Sequence, residues 1–350
     1  MHEKINKNIM NTYVWFLLLT PFLLFSQSPQ DNPTPGQIEV QLQDAEAEFQ
    51  RALKLFSPWY TGPLITPGAS MMPPGNGNTQ PYLFVIDNYA AFNKDRKSIA
   101  LENNLIQLKG TANVQTGITD NFDINVSFSG ISNWQNGHHG GGFGDIGVTG
   151  GFLINKQTLY APAVKLTISE TFPTGSYKSL NNNGLNLSAT GAGAYSTQFG
   201  LGFSKVILWA TEHPMNVRCF FGYQLSTVVN VKGFHAYGGG FGCNGKVKPG
   251  NTFSADFGYE YSFNENWVAA LDVVYSATNR TKFHGNAGLT ASGTPASSGS
   301  GYSDNLSFAP AIEYNWSPKL GLIAGGWFSV YGRNSSKYAA GIISLTISYP

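Results

Sequence analysis

Three stretches far apart in this chain alternate apolar and polar residues one by one. Near the end, Ala339, Ile343, Leu345, Ile347 and Tyr349 fall on one face and Ser344, Thr346 and Ser348 on the other. From Phe122, the set Phe122, Ile124, Val126 and Phe128 opposes Asp123, Asn125, Ser127 and Ser129. From Phe253, the set Phe253, Ala255, Phe257, Tyr259, Tyr261 and Phe263 opposes Ser254, Asp256 and Glu260. A period of two means extended strands with unlike faces. A soluble sandwich shares that period, but it turns its polar faces to bulk water. Here charged residues make up only 12% of the chain against 14% aromatics, and the polar faces are mostly Gly, Ser, Asn and Thr. Such faces suit a confined lumen, so the pattern predicts an all-β fold: a closed antiparallel transmembrane β-barrel with its apolar face toward lipid.

The N-terminus supports export. Lys4 and Lys7 precede an apolar run over residues 13–25, too short to span a bilayer but suited to a signal-peptide core, with cleavage expected near residues 26–28. No later apolar run is long enough for a membrane helix. The net charge of +1 gives no basis for nucleic-acid binding. The two cysteines, Cys219 and Cys243, are read as a bridge or as two free thiols, since one lies on an outer strand face and the other in a loop.

The expected organisation is a signal peptide (1–28), a periplasmic leader (29–80) with an amphipathic helix over 38–56, and a barrel (81–350). In the helix Ile38, Leu42, Ala45, Phe49, Leu53 and Phe56 line up. Residues 57–81 are too rich in Pro, Gly and Asn for a regular element. Beyond them about twelve strands follow, at 82–92, 99–118, 121–133, 142–154, 158–172, 193–208, 215–231, 251–263, 266–278, 304–316, 319–331 and 337–349. Short connections alternate with longer or glycine-richer ones, as periplasmic turns alternate with external loops, which puts both barrel ends in the periplasm. Tyr160, Trp209, Phe263, Trp267, Tyr314, Trp316 and Tyr349 lie beside the short turns, where an interfacial girdle belongs.

Alternation places Lys109, Asp123, Asp145, Lys165, Arg218, Asp256, Glu260, Asp272 and Glu313 on the lumen face. They read either as a mutually paired interior or as a polar pathway for a solute. Lys205 and Glu170 fall on the outward set near strand ends, where a long stem can reach the interface. His138 and His139 point opposite ways in a flexible glycine-rich loop, which does not assemble a metal site. No strand sets a His beside a Ser at catalytic spacing, so neither an enzyme nor a cofactor is expected.

The stretch GGFGDIGVTGGFLINKQTLYAPAVKLTISETFPTGSY at 141–177 resembles the outer-membrane barrels named for the meta-pathway of phenol degradation, through GFGDIGV on one strand, a short turn, and an APAVKL strand closing on FPTG. FGLGFSK and GYEYSFNENWVAALDVVYS, within 199–276, are similar to that family's later strands. WYTGPLITPG and QPYLFVIDNY, within 59–89, look like a leader found in one branch of it. The likeness covers roughly 141–349, and the chain departs from the pattern in ending on Pro350 after Tyr349. It implies an outer-membrane barrel with a transport role in a Gram-negative cell; phenol transport does not follow from it. Two functions remain open. The first is a channel or facilitator for a small apolar or aromatic solute. The second is a structural or surface-interaction barrel whose long loops, 173–193 and 280–301, meet other molecules over a closed lumen. The expected partners are the lipid bilayer with its lipopolysaccharide, the barrel-insertion machinery and a small-molecule solute. The helix is expected to dock at the barrel mouth or to lie on the inner leaflet.

Overall fold

The structure, a computed structural model, describes residues 33–56, 60, 62, 64–181, 185–208 and 212–350. The expected signal peptide and Trp209 lie outside these residues. The chain divides into two compact units, 1–45 and 46–350. Helix α1, Pro35–Phe56, crosses that boundary. It begins a turn before the apolar periodicity because Thr34 and Gln37 form a reciprocal cap: Gln37 N donates to Thr34 Oγ1 (3.3 Å) and Thr34 N to Gln37 Oε1 (2.8 Å). Pro35, at the first helical position, has no N–H to leave unsatisfied. Among the described residues no helix is long and apolar enough to cross a membrane, which says nothing about strands.

Strands follow in the order β1 (Gly77–Phe92), β2 (Ser98–Thr119), β3 (Phe122–Gln135), β4 (His138–Phe143), β5 (Ile146–Asn155), β6 (Ala163–Phe172), β7 (Ser196–Ile207), β8 (Met215–Ser226), β9 (Val229–Lys232), β10 (Asn244–Lys248), β11 (Thr252–Ser262), β12 (Trp267–Thr278), β13 (Lys282–Asn286), β14 (Ser303–Ser317), β15 (Leu320–Arg333) and β16 (Ser335–Tyr349). Twelve of them close a ring, β2-β1-β16-β15-β14-β12-β11-β8-β7-β6-β5-β3, sealed by β3 on β2. Every neighbouring pair is antiparallel. All twelve expected strands are present. Closure leaves no bare edge inside the ring, so each backbone group in the hydrocarbon zone finds a partner within the protein.

The faces sort as alternation predicts. Leu83, Phe128, Leu166, Phe199, Phe257, Trp267, Ile312, Ile343 and Ile347 are exposed, whereas Asp123, Glu260, Asp272, Glu313, Ser344 and Thr346 are buried. Phe257 is 42% exposed and Glu260, three residues on, is 0% exposed, the inverse of a water-soluble protein. Tyr160, Phe263, Trp267, Trp316 and Tyr349 stand exposed at the short-turn end. Trp267 and Tyr314 lie edge to face at 4.6 Å, followed by Tyr314 on Trp316 at 5.1 Å, which makes part of the girdle one stacked run. A cysteine at position 257 is therefore expected to react with a maleimide delivered from the lipid phase, and one at position 256 to stay unlabelled; the reverse pattern would overturn this register.

Strand ends differ from expectation in three places. β1 starts at Gly77 and so contains Pro81. Pro81 has no N–H, and the β1–β16 ladder skips Gln80 and Pro81 while keeping register on both sides. Residues 158–162, expected as strand, form an irregular connection before β6. The long strand expected over 215–231 breaks at Thr227 and Val228 into β8 and β9.

The external side is more ordered than glycine-rich loops suggest. β9, β10 and β13 form a separate three-stranded sheet. Beneath it Val229, Val231, Val247 and Ala194 make a small core with Tyr177, Tyr237 and Phe283. His235 is fully buried there, and burial pushes its imidazole pKa down. β4 continues the hairpin with β3, so His138 and His139, expected in a loop, lie on a strand with exposed side chains. At the external rim Arg96, in the β1–β2 turn, forks onto Asp304 of β14 at 2.6 and 2.8 Å and sits 4.6 Å over the Tyr331 ring. Cys219 and Cys243 are free thiols.

Candidate functional site: a leader threaded through the lumen

Ahead of β1, residues 64–76 run inside the ring. Leu64, Thr66 and Ala69 are buried. Leu64 packs on small inward residues of four consecutive strands of the ring: Ala270, Ala309 and Ala311, Ile323, and Ala340 and Ile342. That wall offers methyl groups instead of charge, and Leu64 removes it from water.

Two residues expected to face the lumen, Asp272 and Lys165, hold the leader together with Ser204 and the backbone of Gly117. Asp272 of β12 accepts the backbone N–H of Ile65 at Oδ2 (3.0 Å) and that of Thr66 at Oδ1 (3.2 Å). Ser204 of β7 accepts from Ala69 N (2.7 Å). Lys165 of β6 donates to the Ser70 carbonyl (3.2 Å). At the exit, Gly75 N donates to Gly117 O (3.0 Å) and Gly117 N to Asn76 O (2.9 Å), which ties the leader to β2. Buried amides of an irregular segment need acceptors, and these side chains supply them. Glycine makes room for the approach: a Cβ on Gly117 would strike the carbonyls of Met72 and Pro73, and one on Gly258 would come 3.2 Å from Thr66 Cβ.

Four of the nine charges expected in the lumen form two ion pairs. Lys165 Nζ lies 2.7 Å from Asp123 Oδ2, with both side chains almost wholly buried. Gln115 also donates to that carboxylate (2.6 Å). The pair reaches across Gly151 of β5, where any side chain would collide with both partners. Arg218 Nη2 lies 2.9 Å from Glu260 Oε2, which also accepts from Asn216 Nδ2 (2.8 Å). Glu313 is fully buried on β14. Asp256 is half-buried on β11, and its Oδ1 has no hydrogen-bond partner among the described residues. Lys109 sits with Nζ 5.8 Å from the centre of the Phe84 ring. Asp145 stands apart from the others. Between β4 and β5, it accepts the N–H groups of Gly175 (2.9 Å) and Ala192 (2.8 Å) and so anchors an external loop. The outward exceptions have partners too: Glu170 accepts from Thr197 Oγ1 (2.6 Å). Lys205 donates to the carbonyls of Thr158, Leu159 and Ala161.

Those three carbonyls belong to the connection expected as strand, and the second half of α1 docks on it. Glu46 Oε2 accepts from Leu159 N (2.8 Å), Gln50 Nε2 donates to the Gln157 carbonyl (2.8 Å), and Lys205 Nζ lies 5.0 Å from the centre of the buried Phe49 ring. The bonds from the Gln50 side chain and the Leu159 amide hold the Glu46 carboxyl below the usual carboxylate range.

Two cavities flank the leader. One, of ≈ 370 Å³, lies under α1 and is lined by Leu53, Met71, Met72, Leu153, Val206 and Arg218 among others. The second, of ≈ 300 Å³, is lined by polar residues including Asn113, Gln115, Asp123, Thr149, Lys165 and again Arg218. Among the described residues no group of three or more His, Cys, Asp and Glu side chains is placed to hold a metal.

A closed twelve-stranded ring with an apolar outer belt, an aromatic girdle and a charged interior defines a transmembrane β-barrel of the outer-membrane type. In solved structures, the COG4313 outer membrane channel from Pseudomonas putida F1 is similar to it over 81% of this chain and 100% of that one, with a TM-score of 0.62 and 12% identity. At that identity the likeness shows the fold alone. The NanC porin (13% identity, 76% of this chain and 98% of that one) and the translocator domain of the autotransporter NalP from Neisseria meningitidis (12%, 87% and 96%) overlap too loosely, at TM-scores of 0.36 and 0.41, to say more. No protein-family profile matches the sequence, and no curated protein matches it.

Proposed function

We propose that the chain is a channel or facilitator for a small solute, with the leader as its gate. The observation that carries this reading is the leader itself. It is a segment that belongs to no strand of the ring, held in the lumen by a few hydrogen bonds, with two cavities beside it and Arg218 lining both. Eight strands leave an interior just filled by side chains, whereas sixteen to eighteen leave a water channel; twelve give room for one extra chain segment or, with that segment displaced, for a small solute. The resemblance of residues 141–349 to the phenol meta-pathway barrels, and the apolar lining of the larger cavity, favour an apolar or aromatic solute. The Pseudomonas protein of the same fold is itself an outer membrane channel. This reading gives the chain no catalytic role. It takes the bilayer with its lipopolysaccharide, the insertion machinery and the solute as its partners.

The second reading is a structural or surface-interaction barrel with a closed lumen. It is favoured by the filled interior and by the folded external sheet of β9, β10 and β13. Single-channel recording of the purified protein in planar bilayers separates the two. Discrete openings, rare in the resting protein and more frequent under an applied potential, are expected of a gated channel; a silent bilayer containing inserted protein would favour the structural barrel.

A further inference from the structure

The net charge of +1 conceals an uneven distribution. The three long external loops, 173–195, 227–251 and 279–302, contain Lys178, Lys232, Lys246, Lys248, Arg280 and Lys282 and no Asp or Glu. The short turns at the opposite end mix signs, with Asp120, Lys156, Glu212, Glu265 and Lys319. Four of the external cations are gathered on one surface. In the sheet of β9, β10 and β13, Val229, Val231, Val247 and Phe283 turn to the small core. Alternation puts Lys232 of β9, Lys246 and Lys248 of β10 and Lys282 of β13 on the other face, and all four are exposed. Lys248 lies directly opposite Lys282, and Lys246 lies between Asn230 and His284. Like charges at facing positions destabilise a sheet. Lysines on edge strands guard against aggregation, which explains Lys232 and Lys282; Lys246 and Lys248 stand on the central strand, where there is no edge to guard. Among the described residues none of the four forms an ion pair, and only Lys248 makes a side-chain hydrogen bond, to the Ser226 carbonyl (2.6 Å).

We propose that this face binds an anionic polysaccharide at the cell surface. The lysines supply uncompensated positive charge, and a chain of fixed negative charges is its complement. Asn230, Asn244 and Asn286, exposed among them, offer amide donors and acceptors to sugar hydroxyls. From Lys282 across β10 to Lys232 the track runs diagonally for about 16 Å, long enough for a polymer to meet several cations at once where a single phosphate would meet one or two. Other partners fit less well. A protein needs a desolvated centre of aromatic or aliphatic anchors, and this face carries none. A single-stranded nucleic acid needs rings to stack on, and Phe283 is turned into the core. A lipid surface favours apolar side chains beside the cations, and alternation has put those on the opposite face. The proposal goes beyond the channel reading and holds for an open or a closed lumen.

The test uses the full-length protein in a non-ionic detergent and three probes: a short heparin oligosaccharide, an uncharged dextran of similar length, and lipopolysaccharide. Surface plasmon resonance is expected to show saturable heparin binding, at least about tenfold weaker at about 0.5 M than at about 0.05 M salt, and no dextran binding. Lys246→Gln with Lys282→Gln removes two exposed cations that make no hydrogen bond among the described residues, so the sheet keeps its fold; heparin is expected to bind about tenfold more weakly. Lys94→Gln with Lys97→Gln, which removes two exposed external lysines off this sheet, is expected to change binding less than about twofold. An equal loss in both double variants would mean general attraction to a basic surface and would overturn the proposal. So would binding of lipopolysaccharide without binding of heparin, which would make the face a membrane contact. Conductance is a separate readout: heparin binding to a silent barrel leaves this site standing, and openings without heparin binding leave the channel standing.

Discussion

Replacing residues 64–73 with a Gly-Ser linker of the same length is expected to raise single-channel conductance several-fold while the barrel inserts normally. The linker keeps α1 tethered but removes Leu64 from the wall of Ala270, Ala309, Ala311, Ile323, Ala340 and Ile342. It also removes the Thr66 and Ala69 side chains and loosens the segment whose amides Asp272 and Ser204 hold. A flexible Gly-Ser segment loses more conformational entropy on threading a lumen than the native sequence with Pro67 and Pro73, so it spends less time there. Deleting residues 32–56 instead should change conductance less. From the sequence, the amphipathic helix is expected at the barrel mouth or on the inner leaflet; in the structure its second half docks on residues 157–161, and the leader occupies the lumen. A linker variant that inserts yet conducts like the unaltered protein would rule out gating by the leader.

The largest stability effect is expected at the Asp123–Lys165 pair. Lys165→Met removes the cation, leaves the buried Asp123 with only Gln115 as a neutral donor, and is expected to cost about 3–5 kcal/mol, the usual result of breaking a buried pair from one side. The double change Lys165→Met with Asp123→Leu should recover most of that loss, because a well-packed apolar pair of similar volume is often no worse than a buried ion pair. Urea midpoints, read from the heat-modifiable gel mobility of the folded barrel, compare the two. A single variant as stable as the parent would mean that water reaches Asp123, and with it that this part of the lumen is open.

The ring was legible in the sequence because its signal is local. Phe122, Ile124 and Val126, or Ile343, Leu345 and Ile347, announce a lipid-facing strand within a few residues. Burial follows the same parity at Asp123, Lys165, Arg218, Glu260, Asp272 and Glu313, whereas Asp145 lies between two strands, where alternation has nothing to act on. Residues 158–162 misled for a similar reason: they are apolar enough to continue a strand, but their carbonyls are claimed by Lys205, forty-odd residues away. The threaded leader could not be read locally at all. Its hold depends on Asp272, Ser204 and Lys165, which come together only once the ring has closed. One trace of it did exist: Gly117 and Gly258 stand on strands where a larger residue would fill the lumen, and both sit against the leader. β10 and β13 were missed because each has only five residues and their pairings cross long loops.

The fork of Arg96 on Asp304 has a mechanical consequence. A ring made from a linear chain has one joint where its two ends meet, and here that joint is β1 against β16. Pro81 interrupts that ladder toward its periplasmic end, and a register shift between Asn88 and Ala90 interrupts it toward the external end. Arg96 leaves the β1 side of the joint, passes over β16 and β15, and grips β14. It acts as a strap across the seam: a strain that pulls the first and last strands apart must first break a two-point clasp anchored two strands beyond the joint.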